Sequence, residues 1–276
     1  MASISAADVA KLRKMTGAGM MDCKKALQEA EGDFDKGVEI IRKKGQAVAN
    51  KRADREAGEG VVLAHTTDDE KFGALIVLNC ETDFVAKNAD FVKLAHDILD
   101  KSLENKVESL DELKAIQLNG VKIEDKVVEQ IGIIGEKLEL SYYAYVSAEH
   151  VHSYIHPGNR LATLAGFNKP GIDNQVYKDV AMQIAAMNPR AVDKDGVKQE
   201  EIDRELEIGK EQAKREGKPE NLLEKIAMGK LGKFFKENTL LNQEFVKDNK
   251  QTIKQYLNSV DKDLTVTEFK RYTLND

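Results

Sequence analysis

Apolar residues recur at Val9, Leu12, Leu27, Val38 and Ile41 with the three-and-four spacing of amphipathic helices, and glycines punctuate the pattern. The spacing predicts three short helices: Ala6 to Lys14, Met21 to Ala30, and Phe34 to Lys44. Thr16-Gly17-Ala18-Gly19 and Gly32 are the intervening turns, and Gly45 is the expected stop of the third helix. Gln46 to Gly60 is polar, Ala-rich and basic, the composition of a linker.

The period then shortens. Val61 to His65 and Phe72 to Cys80 read as two strands joined by Thr66-Thr67-Asp68-Asp69, a hairpin, and Phe91 to Lys101 reads as a helix. Ser109-x-x-Glu112 has the form of a capping box. Ile123, Val127 and Ile131 mark one helical face, and Leu138 to Ser147 alternates as a strand. Shifting the chain by 86 residues without a gap places Leu75 on Leu161, Leu78 on Leu164, Phe91 on Tyr177, Leu94 on Val180, Ala95 on Ala181 and Ile98 on Ile184. Each copy reads as a hairpin followed by a helix, which predicts two related α+β subdomains.

Gln199 to Phe235 departs from this pattern. Ile202, Leu206, Gly209 and Ala213 step by 4, 3 and 4, and Leu223, Ala227, Leu231 and Phe234 answer them after a turn at Gly217-Lys218-Pro219. This predicts an antiparallel coiled-coil hairpin with arms of about 25 to 30 Å. Phe245-Val246, a helix around Ile253 to Leu257 and a strand from Leu264 to Tyr272 complete the chain. The expected fold class is α+β: a three-helix domain and linker over 1–55, a first core subdomain over 56–140, and a second over 141–276 with the hairpin 199–235 inserted.

Composition narrows the function. The 276 residues carry a net charge of −6, with 33% charged and 41% hydrophobic side chains and no Trp. That balance does not advertise nucleic acid as a direct partner. Residues 1–55 hold 12 basic and 8 acidic side chains, concentrated between Arg42 and Arg55, which reads first as a solvated face. Two cysteines without a C-x-x-C pair suit a reducing compartment. The start, Met1-Ala2-Ser3-Ile4-Ser5-Ala6-Ala7-Asp8, has no basic or apolar leader character, and no apolar stretch approaches the ~18 residues of a span. A cytoplasmic protein without membrane contact is expected.

Catalytic chemistry is not evident. The glycine runs Gly132 to Lys137 and Gly229 to Lys233 lack the spacing of a phosphate-binding loop. Thr16-Gly17-Ala18-Gly19 does not follow a strand and reads as a helix-to-helix turn. His150, His152 and His156 are the one metal-like spacing, yet no Cys lies near and Glu149 is the only close carboxylate. Cys23 sits at helical spacing beside Met20 and Leu27, a place for a structural thiol. No cofactor is implied.

The string Leu12-Arg13-Lys14-Met15-Thr16-Gly17-Ala18-Gly19-Met20-Met21-Asp22-Cys23-Lys24-Lys25-Ala26-Leu27 resembles the N-terminal signature of the elongation factor Ts family. A second signature is Cys80-Glu81-Thr82-Asp83-Phe84-Val85-Ala86-Lys87. Similar segments follow at Ser153 to Gly158, Val180 to Ala186 and Gln243 to Lys247, in the family's order. The resemblance implies a ubiquitin-associated-like N-terminal domain, a two-subdomain core and a protruding coiled coil. Longer members end in a further C-terminal helix, whereas this chain runs to Asp276 without one. It also implies a non-enzymatic guanine-nucleotide exchange factor whose partner is elongation factor Tu in its GDP-bound and nucleotide-free forms. Thr82, Asp83, Phe84 and Val85 would then intrude beside the partner's Mg²⁺, with Phe84 as an apolar wedge and Asp83 as a polar contact. His156, on the matching turn of the second repeat, would push at its phosphate-binding end, and Met20 and Met21 would dock the N-terminal domain.

Two readings of other classes stand beside this one. The helical N-terminal module alone would suit a ubiquitin-associated-type adaptor or nascent-chain-binding protein, and a core cleft with Glu and His side chains would suit an enzyme. Read without the resemblance, Thr82 and Asp83 cap a helix, Phe84, Met20 and Met21 are packing residues, and His156 bonds within its own turn.

Overall fold

The computed structural model describes residues 4–275; the leader reading at Met1–Ser3 and the terminal Asp276 lie outside them. The described residues form two compact units, one of residues 4–63, 75–144 and 273–275, the other of 64–74 and 145–272.

The first unit opens with helices α1 (Ala6–Thr16), α2 (Met20–Glu29) and α3 (Phe34–Arg52). Ser5 caps α1 through a reciprocal box with Asp8, and Gly17 ends it in the left-handed conformation that favours glycine. Val9, Leu12, Cys23, Ala26 and Leu27 form the buried seam between these helices. Contrary to the sequence expectation, Gly45 does not stop α3, which continues through Arg52, so the linker shrinks to 53–58. Gly45 is buried where α3 crosses a later helix, Ile123–Ile134, and a Cβ added at Gly132 of that helix would lie 2.6 Å from the Cα of Gly45. The two glycines serve helix–helix approach instead of a turn.

Strands β1 (Glu59–Thr66) and β2 (Phe72–Cys80) follow, then α4 (Asp83–Ala86), α5 (Ala89–Asn105) and α6 (Leu110–Ala115). A miniature hairpin, β3 (Gln117–Leu118) and β4 (Val121–Lys122), leads into α7 (Ile123–Ile134) and β5 (Glu139–Ser147). The hairpin separates α6 from the face of Ile123, Val127 and Ile131. Ser109 caps α6, but the Glu112 carboxylate accepts from the Glu108 amide, so the expected box is only half made. The first sheet has the order β1-β2-β5, and every residue of its middle strand is buried.

The second unit contains β6 (His150–Ile155), β7 (Leu161–Phe167) and α8 (Asn174–Met187). It continues with α9 (Gln199–Arg215), α10 (Glu220–Asn238), the hairpin β8 (Glu244–Phe245) and β9 (Asp248–Thr252), α11 (Ile253–Val260) and β10 (Val266–Thr273). Its sheet has the order β6-β7-β10, reproducing the arrangement of the first. The repeat runs further than a shift of 86 reveals: β8, β9, α11 and β10 succeed one another as β3, β4, α7 and β5 do. Insertion of α9 and α10 breaks the constant offset and hides this half. Gly209, in close packing with Ala227, lets those two helices approach, and Ala213, Leu231 and Phe234 fill the rest of their seam. The architecture is α+β: three N-terminal helices, two related copies and an inserted helical hairpin.

Candidate functional site: the connection between β2 and α5

The most exposed large apolar side chain recorded for the described residues is Phe84, 83% accessible. It sits on α4, four residues long with none buried. One helical turn has no independent stability. Its anchors lie just before it.

Thr82 is the N-cap: its hydroxyl oxygen accepts from the Val85 amide at 3.4 Å. The same hydroxyl donates to Oε1 of Glu136 at 2.7 Å, and the Thr82 amide donates to Oε2 at 3.1 Å. Behind it, the Glu81 carboxylate accepts from Nη1 of Arg52 at 2.7 and 2.9 Å, from Arg55 at 3.3 Å and from the Lys137 amide at 2.6 Å. Burial pushes this carboxyl up, but the Lys137 amide and the two guanidinium groups more than reverse that and leave it below its ordinary range. Cys80 donates to the Thr82 carbonyl at 3.1 Å, and burial, with the Glu136 charge nearby, pushes its thiol up to about 12. The thiol is inert, which suits a structural post.

Asp83 faces solvent and accepts from Lys87 at 2.6 Å, a contact that holds its carboxyl below the usual range. Val85 borders a groove of about 590 Å³, whose other walls include Asn88, Leu94, Leu118, Ile133 and Gly17 of the α1–α2 turn. Met20 and Met21 follow that turn and are 47% and 63% exposed. The same unit therefore carries Thr82 to Val85 and both methionines.

His156 lies in the other unit, in the turn after β6, where its Nδ1 shares a hydrogen bond with the Tyr154 hydroxyl at 3.0 Å. The sequence reading placed it on the matching turn of the second repeat. Its counterpart, however, is the β1–β2 turn, and the segment equivalent to α4 is Asn168 to Ile172. The other histidines do not join it. His150 is buried with its ring 3.7 Å from that of Tyr177, and its Nδ1 is 3.3 Å from Glu70. Among the described residues no three His, Cys, Asp or Glu side chains gather as a metal site, and no helix is long and apolar enough to cross a membrane. Cys23 is buried, its thiol donating to the Ala18 carbonyl, as a structural residue would be.

Sequence reasoning missed the clamp: Arg52, Glu136 and Lys137. Gly135, whose φ of 80° ends α7, was the available signal that the next two residues turn back toward the site.

The family model for Elongation factor TS matches residues 81–276, starting at the first residue of this connection. The chain belongs to the elongation factor Ts family. It is 56% identical over 274 residues to Elongation factor Ts of Porphyromonas gingivalis, covering 99% of both chains. It is 52% identical to that of Christiangramia forsetii, over 99% of this chain and all of the relative. Elongation factor Ts of Bacteroides thetaiotaomicron is 44% identical over 99% of each. Elongation factor Ts proteins are non-catalytic nucleotide exchange factors for elongation factor Tu in translation elongation, and this chain is one of them.

Proposed function

We propose that this exchange factor releases GDP by inserting Phe84 beside the Mg²⁺ of elongation factor Tu. The supporting observation is an 83%-exposed Phe on a single helical turn whose cap is fastened from behind. GDP on such a GTPase is held by phosphate-binding backbone groups and by a Mg²⁺ that neutralises phosphate charge. A wedge that displaces the ion loosens the nucleotide.

Asp83 supplies a polar contact at the same place, Thr82 caps the turn and Val85 flanks it. Met20 and Met21 dock the N-terminal helices, their flexible thioethers suiting a protein surface. His156 acts on the phosphate-binding end. Burying one Phe is worth about 1.5 to 3 kcal/mol. A ~10⁴-fold acceleration needs about 5.5 kcal/mol of differential binding, so these contacts share the effect. Linkage makes it reciprocal: GDP must weaken this protein's hold on its partner as much as the protein weakens GDP. This protein binds both the GDP-bound and the nucleotide-free forms of the partner, in the cytoplasm and without direct nucleic-acid contact. In this division of labour, 1–55 docks, 56–140 carries the wedge, and 141–276 with its hairpin 199–235 holds the rest of the partner.

Stopped-flow release of fluorescent GDP from elongation factor Tu at fixed Mg²⁺ tests the site. Fast release that is lost in the Asp83→Ala, Phe84→Ala double variant is expected. Unimpaired release by that variant would overturn the wedge.

A further inference from the structure

Four residues make one turn, and such a turn does not hold its shape by itself. No residue of α4 is fully buried, and Val85 and Ala86 are half-buried, so packing alone orients Phe84 weakly. At its far end the Asp83–Lys87 pair is exposed and so contributes little. Beyond the turn's own backbone bonds, the side-chain anchor is the cap, where both carboxylate oxygens of Glu136 are occupied by Thr82, one by the hydroxyl and one by the amide. Because the Thr82 hydroxyl proton is committed to Glu136, its lone pair is free to face the Val85 amide, one of the donors at the start of the turn that no helical carbonyl can reach.

We propose that Glu136 is a positioning residue for nucleotide exchange, fixing the place and direction in which α4 presents Phe84. Glu136 is itself fixed, since it follows the left-handed Gly135 and precedes Lys137, whose amide holds Glu81 while Arg52 grips the same carboxylate. Residues 81–82 and 136–137 thus clasp each other through side chains on one segment and amides on the other. A preset wedge avoids the ordering penalty that a floppy one would meet after docking, when it inserts beside the Mg²⁺, so its loss slows release more than it weakens docking. The inference rests on the wedge reading.

Two measurements on the full chain test it with Glu136→Ala, Glu136→Gln and Phe84→Ala: amide hydrogen exchange of the free protein, and GDP release against protein concentration. Losing charge-assisted hydrogen bonds in Glu136→Ala should speed exchange at the Thr82, Val85 and Ala86 amides and lower the saturating release rate, each about tenfold, with the half-saturating concentration changed less than about twofold. Glu136→Gln keeps one acceptor and should fall between. A residue needed only for folding would instead reduce protection throughout the unit. Wild-type protection and saturating rate in Glu136→Ala would overturn the proposal; if that variant does not fold, wild-type values in Glu136→Gln would do so. Undiminished release by Phe84→Ala would sink the wedge reading alone, leaving the hydrogen-exchange result to judge Glu136.

Discussion

The two copies of the core share a strand order and a helix after their second strand, yet they treat the intervening connection in opposite ways. In the first copy it forms α4 and projects Phe84 into solvent. In the second, the equivalent stretch is tied along its length at Asn168, Lys169 and Ile172, where the first is clasped at its base by Thr82. Lys169 pairs with Asp261 at 2.7 Å, its carbonyl accepts from the Tyr177 hydroxyl at 2.7 Å, and the Ile172 amide donates to that hydroxyl at 3.2 Å. Asn168 bonds Asp263 and Thr265 as well. Position 91 of the first copy holds Phe where position 177 of the second holds Tyr, so the first copy lacks the hydroxyl on which this tie depends. The framework does not dictate what the connection does; one oxygen atom and a few polar partners decide it.

The sharpest way to break the contrast is to exchange the connections. Replacing Asp83–Ala86 by the sequence of Lys169-Pro170-Gly171-Ile172 should lower the saturating GDP release rate about ten- to a hundredfold, the worth of one buried Phe, with helix content by circular dichroism unchanged. Next comes the attachment peculiar to the first copy. Gly132→Val should destabilise the protein by about 2 to 3 kcal/mol in urea titration, because its side chain must enter the crossing with Gly45. Tyr177→Phe removes the tie in the second copy and should cost about 1 kcal/mol while leaving GDP release untouched.

The smallest effect is one of pH. Burial disfavours the His150 imidazolium, outweighing the Glu70 carboxylate, so its folded pKa lies below the ordinary 6.5. His152 is lowered likewise, by burial first and then by His150. The unfolded chain binds more protons in that window, so stability is complete above about 6.5 and declines as acid carries the pH toward the folded values. The urea midpoint should be lower at about pH 5.5 than at about pH 7.5, and His150→Phe should narrow the gap.

Much of this was legible in the sequence wherever a period was long. The three N-terminal helices, the hairpin seam from Ile202 to Phe234 and the 86-residue repeat follow from spacing, and the Cys80 to Lys87 string marks the connection. Glycine misled at position 45, because a residue without a side chain marks a close crossing as readily as a turn, and nothing local distinguishes the two. The clamp was hidden for a different reason. Glu136 lies 54 positions from Thr82, and their pairing arises only when α7 has been laid down and ended.

The buried thiol behind the wedge has a practical consequence for spectroscopy. Cys23 and Cys80 are both fully enclosed, and Cys80 is also held protonated far above neutral pH. Thiol-directed dyes should therefore pass over the native protein. A single cysteine introduced at position 84 would offer the one accessible thiol, so a fluorophore or spin label could be placed at the point of contact without removing any natural residue elsewhere.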